Sequence, residues 1–339
     1  MTRPRILVAR AIPPEAIERL ARHAEVTPND DDASWSRDEF IARLRDHDGV
    51  LTTGSERIDA ALLAACPRLR ICANMAVGFN NFDTEAMTAH GVQGTNTPGV
   101  LTETTADFGF ALLMATARRV TESEHFLRSG AWRRWRYDQF CGSDIHGSTL
   151  GIVGMGRIGQ GIARRGAHGF GMRVVYHNRS RLDAATESAC GAAWLPLDEL
   201  LAVADHVVLV VPYSAESHHL IDAAALARMK PTATLVNIAR GGIVDDAALA
   251  EALRAGRIAA AGLDVFEGEP RVHPGLLDVP NVVLTPHIAS ATHATRRAMA
   301  RLAVDNLVAF FEGKGPLTPV NAPLPAPEKI APQPGPDGR

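Results

Sequence analysis

The sequence predicts an α/β protein of two domains, each a parallel sheet covered by helices. Three observations carry that reading. Short β-like runs alternate with helical patterns from the first residues to beyond residue 280, as strand–helix–strand units require. The 339 residues suffice for about two hydrophobic cores. Near Leu150 the alternation restarts behind a glycine cluster, so a second series follows the first.

Taken in order, the first third reads as strands near 6–9, 49–53, 69–73 and 92–95, with helices near 14–23, 37–46 and 83–90 between them. Asn96-Thr97-Pro98-Gly99 breaks regular structure, since proline and glycine together end it. One long helix is expected from about 103 to 128, with Phe108, Leu112, Ala115 and Val120 near one face, long enough to connect two domains. The second series gives six strands, near 150–153, 173–176, 206–211, 234–238, 260–265 and 281–285. A helical run over 292–311 then has no place left in that sheet. It is expected to return to the first domain, which becomes discontinuous: 1–99 with 291–321, around a second domain at 100–290. The tail from Leu317, and above all 322–339, is crowded with proline and is expected to be extended or disordered, without core residues to hold it.

Composition narrows the function classes. With 46% hydrophobic and 22% charged residues the chain is ordinary and globular. A net charge of −3, with scattered Lys and Arg, gives no basic stripe for nucleic acid. No apolar run approaches the roughly 20 residues of a membrane span, and the start resembles no secretory signal. Cys66, Cys72, Cys141 and Cys190 lack metal or redox spacing, so free thiols in a reducing cytoplasm are expected, and no metal is assigned.

The glycine cluster states the first chemistry. Gly154, Gly156 and Gly159 follow the apolar run 150–153 and open a helical pattern containing Ile158 and Ile162, the context that a dinucleotide fingerprint requires. The first glycine permits the turn, the second admits the pyrophosphate, and the third packs helix on strand. Arg157 and Ile158 sit at the helix N-terminus, whose partial positive charge faces the phosphates. An NAD site carries a carboxylate about 20 residues further on, where it binds the ribose 2′-hydroxyl. Asn178 stands there, followed by Arg179 and Ser180. Neutral donors and a cation fit a 2′-phosphate, so NADPH is expected over NADH.

Three segments at strand ends then form an acid–base set: 237–245 (NIARGGIVD), 260–270 (AAGLDVFEGEP) and 285–296 (TPHIASATHATR). All follow apolar strands, so all open at the carboxyl edge where α/β sheets bind ligands. Histidine is the side chain suited to proton transfer near neutral pH, a carboxylate on one ring nitrogen would orient His287, and Arg240 offers a planar fork to a substrate carboxylate.

In this order the fingerprint and the three segments resemble the D-isomer-specific 2-hydroxyacid dehydrogenase family, over nearly the whole chain to about Asn321. Within it, the segments 142–161, 100–107 and 290–293 are most similar to the branch of glyoxylate/hydroxypyruvate and 2-ketogluconate reductases. The resemblance implies two doubly wound parallel-sheet domains, a Rossmann cofactor domain inserted into a flavodoxin-like substrate domain. It implies that NAD(P)H reduces the C2 ketone of a 2-oxo acid in the cleft between them, His287 donating the proton, Glu269 keeping His287 protonated, and Arg240 binding the carboxylate. Backbone N–H groups of Val77 and Gly78 would join Arg240 there, assisted by Ser290 and His293. Thr105, Val211, Pro212, Ile238, Ala239, Asp264 and Ala289 are further expected cofactor contacts. Trp132 and Trp135 resemble the arm that packs across a homodimer. The rivals are a relative acting on D-lactate-like or phosphoglycerate-like substrates with NAD, and a nucleotide-sensing corepressor that keeps the fold.

Overall fold

A computed structural model describes residues 3–322. The chain forms two compact units, one of residues up to Leu101 together with those from Thr292, the other Thr102–Ala291.

The first unit contains β1 (Arg5–Val8), β2 (Glu25–Thr27), β3 (Gly49–Thr52), β4 (Ile71–Asn74) and β5 (Gln93–Thr95). They form one parallel sheet in the order β2-β1-β3-β4-β5, the doubly wound flavodoxin-like arrangement. Central strands β3 and β4 are buried throughout, as strands covered on both faces must be. The helix His293–Phe311 starts on a Thr292 cap whose hydroxyl accepts the Thr295 N–H, and it packs on β4 and the helix Pro14–Ala21.

The second unit contains β6 (Thr149–Val153), β7 (Arg173–His177), β8 (Ala192–Trp194), β9 (His206–Leu209), β10 (Thr234–Asn237), β11 (Ala260–Leu263) and β12 (Val282–Leu284). The order β12-β11-β10-β9-β6-β7-β8, all parallel, is the Rossmann order with one added strand. Register decides where the chemistry falls. His177, Val153, Leu209, Asn237, Leu263 and Leu284 form one row across the sheet. Each strand therefore leaves the sheet at one level, and Asn178, Gly154, Ile238, Asp264 and Thr285 follow directly along a single edge.

Three expectations need correction. The helix expected over 103–128 is two, Thr102–Ala117 and Val120–Arg128, broken where Arg119 adopts a left-handed backbone (φ 52°). The cause is a chain crossing: Ser143 N–H bonds the Ala117 carbonyl (2.9 Å), and a Cβ on Gly142 would lie 2.2 Å from that same oxygen. The carbonyl that would continue the helix is taken. Val120 is accordingly half-exposed and buries nothing, and the second helix has no buried residue. The sequence reading lacks strands β2 and β8 because both are three-residue edges with a partly exposed pattern: β2 (EVT) has no apolar run, and β8 (AAW) is a short one closed by Gly191 and Pro196.

The third correction concerns residues after Leu317. The Asn306 carboxamide, fully buried, accepts the Leu317 and Thr318 N–H groups (both 2.9 Å). Val320 N–H reaches the Gly94 carbonyl, Val320 packs on the core, and Asn321 Oδ1 accepts from Gly94 N–H and Gln93 Nε2. The chain to Asn321 is thus stitched to β5, while the rest of the expected tail, from 323, lies outside the described residues.

Candidate active site

The site grows from the sheet edge upward. Gly154 has φ +102°, and a Cβ there would meet the Val210–Val211 backbone at 2.7 Å, so the turn after β6 presses against the strand beside it. A Cβ on Gly159 would lie 2.3 Å from the Gly154 carbonyl, which holds the helix Arg157–Arg164 against its strand. Gly156, the N-cap, has open space where a Cβ would stand. Arg157 is exposed and Ile158 half-buried beside it. A bare backbone, helix N–H groups and free space at the point where strand order reverses between β6 and β9 fit a pyrophosphate. Thr105 adds to the fit: its hydroxyl is buried with no partner among the described residues, and such a group calls for one.

Asn178 closes this turn. Its side-chain oxygen accepts the Met155 N–H (2.7 Å) and its carbonyl accepts from Trp194 Nε1 (3.1 Å), which fixes the side chain and leaves its amide nitrogen without a partner among the described residues. Arg179 and Ser180 are exposed. The neighbouring Arg181 is committed elsewhere, in a two-pronged pair with Glu187 (both 2.8 Å). Arg179 shares its surroundings with Glu216, whose carboxyl is held below its usual range by the Ser214 hydroxyl and, more weakly, by Arg179. Val211 and Pro212 lead into that turn, half-buried and exposed.

The acid–base residues occupy the other half of the edge. After β10, Asn237 accepts the Ala239 N–H (3.0 Å) and donates to the Arg240 carbonyl (3.1 Å), an Asx-type turn that buries Ile238 and Ala239 and aims Arg240. Arg240 Nη1 donates to the Ala239 carbonyl (2.7 Å). Burial pulls the guanidinium below its usual value, and the Glu269 carboxylate pushes it back up. A Cβ on Gly241 would lie 1.7 Å from the Phe266 carbonyl, so only glycine lets this turn approach the segment that carries Glu269.

Glu269 Oε1 accepts the Phe266 N–H (2.9 Å), and Oε2 lies 2.9 Å from His287 Nδ1. Burial alone would raise the Glu269 carboxyl; the bonds from His287 and Phe266 and the charge on Arg240 outweigh it and hold it below the usual range. His287 itself has a left-handed backbone (φ 54°), an uncommon conformation for a side chain to impose. Asp264 sustains it. Fully buried, its carboxylate accepts Thr285 Oγ1 (2.7 Å), Ile288 N–H (2.8 Å) and Ala289 N–H (2.9 Å), while its carbonyl accepts His287 N–H (2.9 Å). The structure gives Asp264 the task of positioning this loop. Ala289 is buried, and Ser290 half-buried just beyond it.

In the first unit, Val77 and Gly78 lie in a turn after β4 whose carbonyls accept from Asn96 Nδ2 (2.8 Å) and Asn74 Nδ2 (3.0 Å). Their N–H groups bond nothing among the described residues. The roles of Asn237 and Gly241 were not read from the sequence. The available clue was an Asn at a strand end followed by a Gly pair, which is turn chemistry.

A nucleotide fold whose carboxyl edge carries a His–carboxylate pair beside a half-buried Arg defines a nicotinamide-dependent dehydrogenase class. The comparisons narrow it. Residues 110–289 match the D-isomer specific 2-hydroxyacid dehydrogenase NAD binding domain. A glyoxylate reductase of Thermococcus onnurineus is 51% identical over 323 residues, 94% of this chain and 96% of the relative. The crystal structure of the TT0316 protein from Thermus thermophilus superposes with a TM-score of 0.86 at 43% identity, covering 93% of this chain and 99% of that one. An NADPH-dependent glyoxylate/hydroxypyruvate reductase from Sinorhizobium meliloti, solved with NADP and malonate, gives 0.83 at 39% identity over 94% and 97%. The chain belongs to the D-isomer-specific 2-hydroxyacid dehydrogenase family and is an NAD(P)-dependent oxidoreductase.

Proposed function

We propose that the protein reduces small 2-oxo acids to D-2-hydroxy acids with NADPH, glyoxylate and hydroxypyruvate foremost and 2-ketogluconate next. The observation that carries this is the 2.9 Å pairing of His287 Nδ1 with Glu269 on the strand-end row that also bears Arg240. Bound NADPH supplies the hydride. The protein's part is proton and charge management. With Nδ1–H donated to Glu269, His287 presents Nε2 to the ketone oxygen and gives it a proton; the carboxylate stabilises the imidazolium that must be present beforehand. Arg240 pairs with the substrate carboxylate, and its turn, fixed by Asn237, limits the geometry it offers. The Val77 and Gly78 N–H groups are proposed as further anion donors, their carbonyls being turned away and held.

NADPH preference rests on Asn178, Arg179 and Ser180 in place of an acid. The glyoxylate reductase relatives and the NADPH-dependent relative support the substrate and the cofactor. A homodimer is proposed from the arm carrying Trp132, Trp135 and Tyr137, exposed by 52%, 76% and 84%, an unusual display of aromatic surface.

The test is NADPH and NADH oxidation with glyoxylate, hydroxypyruvate, 2-ketogluconate, pyruvate and phenylpyruvate, in wild type, His287→Ala and Arg179→Asp. Turnover of the first substrates, its collapse in His287→Ala, and a shift toward NADH in Arg179→Asp are expected. An unimpaired His287→Ala protein removes the proposed proton donor, and a wild-type preference for NADH removes the cofactor assignment.

A further inference from the structure

We infer that the second unit carries a binding site for a divalent transition-metal ion of the zinc class, formed by His218, His219 and Glu267. One donor atom of each lies within 4.8 Å of the other two. His219 Nε2 and Glu267 Oε2 are 3.0 Å apart in a hydrogen bond, so an opening of a few tenths of an ångström brings them to the roughly 3.4 Å that two ligands of one tetrahedral zinc adopt at bonds of about 2.1 Å.

The backbone is built to bring the two imidazoles together. His219 adopts a left-handed conformation (φ 50°), which places consecutive rings side by side, with centroids 3.9 Å apart, where an extended chain would send them to opposite faces. Its N–H is held by the Gly242 carbonyl (2.7 Å). Gly242, at φ +78°, leaves the room: a Cβ there would meet the Tyr213 ring at 3.1 Å and His218 Nδ1 at 3.5 Å.

The outer nitrogens are also provided for. Tyr213 Oη lies 3.2 Å from His218 Nδ1, which leaves the other ring nitrogen to a ligand. Asp245 Oδ2 lies 3.9 Å from His219 Nδ1, while its Oδ1 caps the helix Asp246–Arg254 and so fixes the carboxylate. An oxygen behind each ligating imidazole is the arrangement that orients metal-bound histidine and raises its basicity. His218 and Glu267 are exposed, so an aquated ion can reach them from solvent. An ion bound here clips the turn after β9 to the segment that carries Glu269.

Titration calorimetry of the full chain with ZnCl₂, after chelator treatment and without nucleotide, tests the site. One ion per chain is expected in wild type, with no binding in His219→Ala, affinity weakened at least tenfold in Glu267→Gln, and weakened about tenfold in Tyr213→Phe. Mg²⁺ should not bind, because it requires an oxygen cage. Thermal melting without metal checks that the variants fold; Glu267→Gln, at an exposed position, serves if His219→Ala does not. Zinc binding unchanged in His219→Ala or Glu267→Gln overturns the proposal, as does binding lost only in His287→Ala, which puts the ion on the other His–carboxylate pair. The readout needs neither NADPH nor substrate, so its failure and that of the reductase reading are distinguishable.

Discussion

Asp264→Asn should damage this protein more than its near-identical shape suggests. Asp264 accepts from Thr285 Oγ1 and Ile288 N–H on one oxygen and from Ala289 N–H on the other, all in full burial. An asparagine keeps one oxygen. If that oxygen keeps Thr285 and Ile288, the new amide faces the Ala289 N–H, donor against donor; in the opposite rotamer Thr285 Oγ1 can turn to accept from the amide, its proton going to the Leu263 carbonyl, but the amide then faces the Ile288 N–H. Each bond to a charged acceptor contributes roughly 1.5–3 kcal/mol, and the surviving bonds weaken because their acceptor is now neutral. A loss of about 3 kcal/mol follows, on the order of 100-fold in the folding equilibrium. Urea unfolding followed by circular dichroism should show a lower midpoint at an unchanged slope. Turnover should fall with it, because the loop that loses its anchor is the one that holds His287 in a left-handed conformation. A variant with the wild-type urea midpoint would refute the reasoning.

Other expectations are briefer. Gly241→Ala, which drives a Cβ into the Phe266 carbonyl, should lose soluble expression or nearly all activity, whereas Gly156→Ala, with open space around it, should fold normally and weaken binding of the nicotinamide nucleotide; equal melting temperatures and equal KM values for that nucleotide would contradict this. Glu269 has a carboxyl held below its usual 4.5, so its pairing with His287 stabilises the native state above that pH and is lost as pH falls through the lower native value. The stability gap between wild type and Glu269→Gln should therefore close in acid, and a gap that widens there reverses the sign. Trp135→Ser, removing the more exposed tryptophan of the arm, should shift sedimentation toward monomer; an unchanged coefficient speaks against that surface as the dimer contact.

Much of this was legible in the sequence because the pattern and the chemistry coincide. Each buried strand of the second unit is an apolar run, and the chemistry stands within three residues of its end, which makes Gly154, Arg240 and His287 legible from the pattern. What escaped lies in relations between distant segments. Nothing near Ala117 announces that Ser143 will take its carbonyl, and nothing near Gly241 announces Phe266. His218 and His219 offered no metal spacing because their third partner stands nearly fifty positions away, brought up by β11. Edge strands β2 and β8 carry too little burial to impose a period.

The stitching of Leu317–Asn321 onto β5 has a consequence for association. β5 is the last strand of its sheet, and an open strand edge is a template for another chain. Here Thr95 faces Pro319 in an antiparallel bridge, and the Gly94 N–H that would recruit a neighbour is capped by the Asn321 side chain. Proline at the bridge offers no N–H of its own, so pairing stops after one layer. The strap is a guard against edge-to-edge aggregation, and a chain truncated before Leu317 should keep its core yet form oligomers that the intact chain does not.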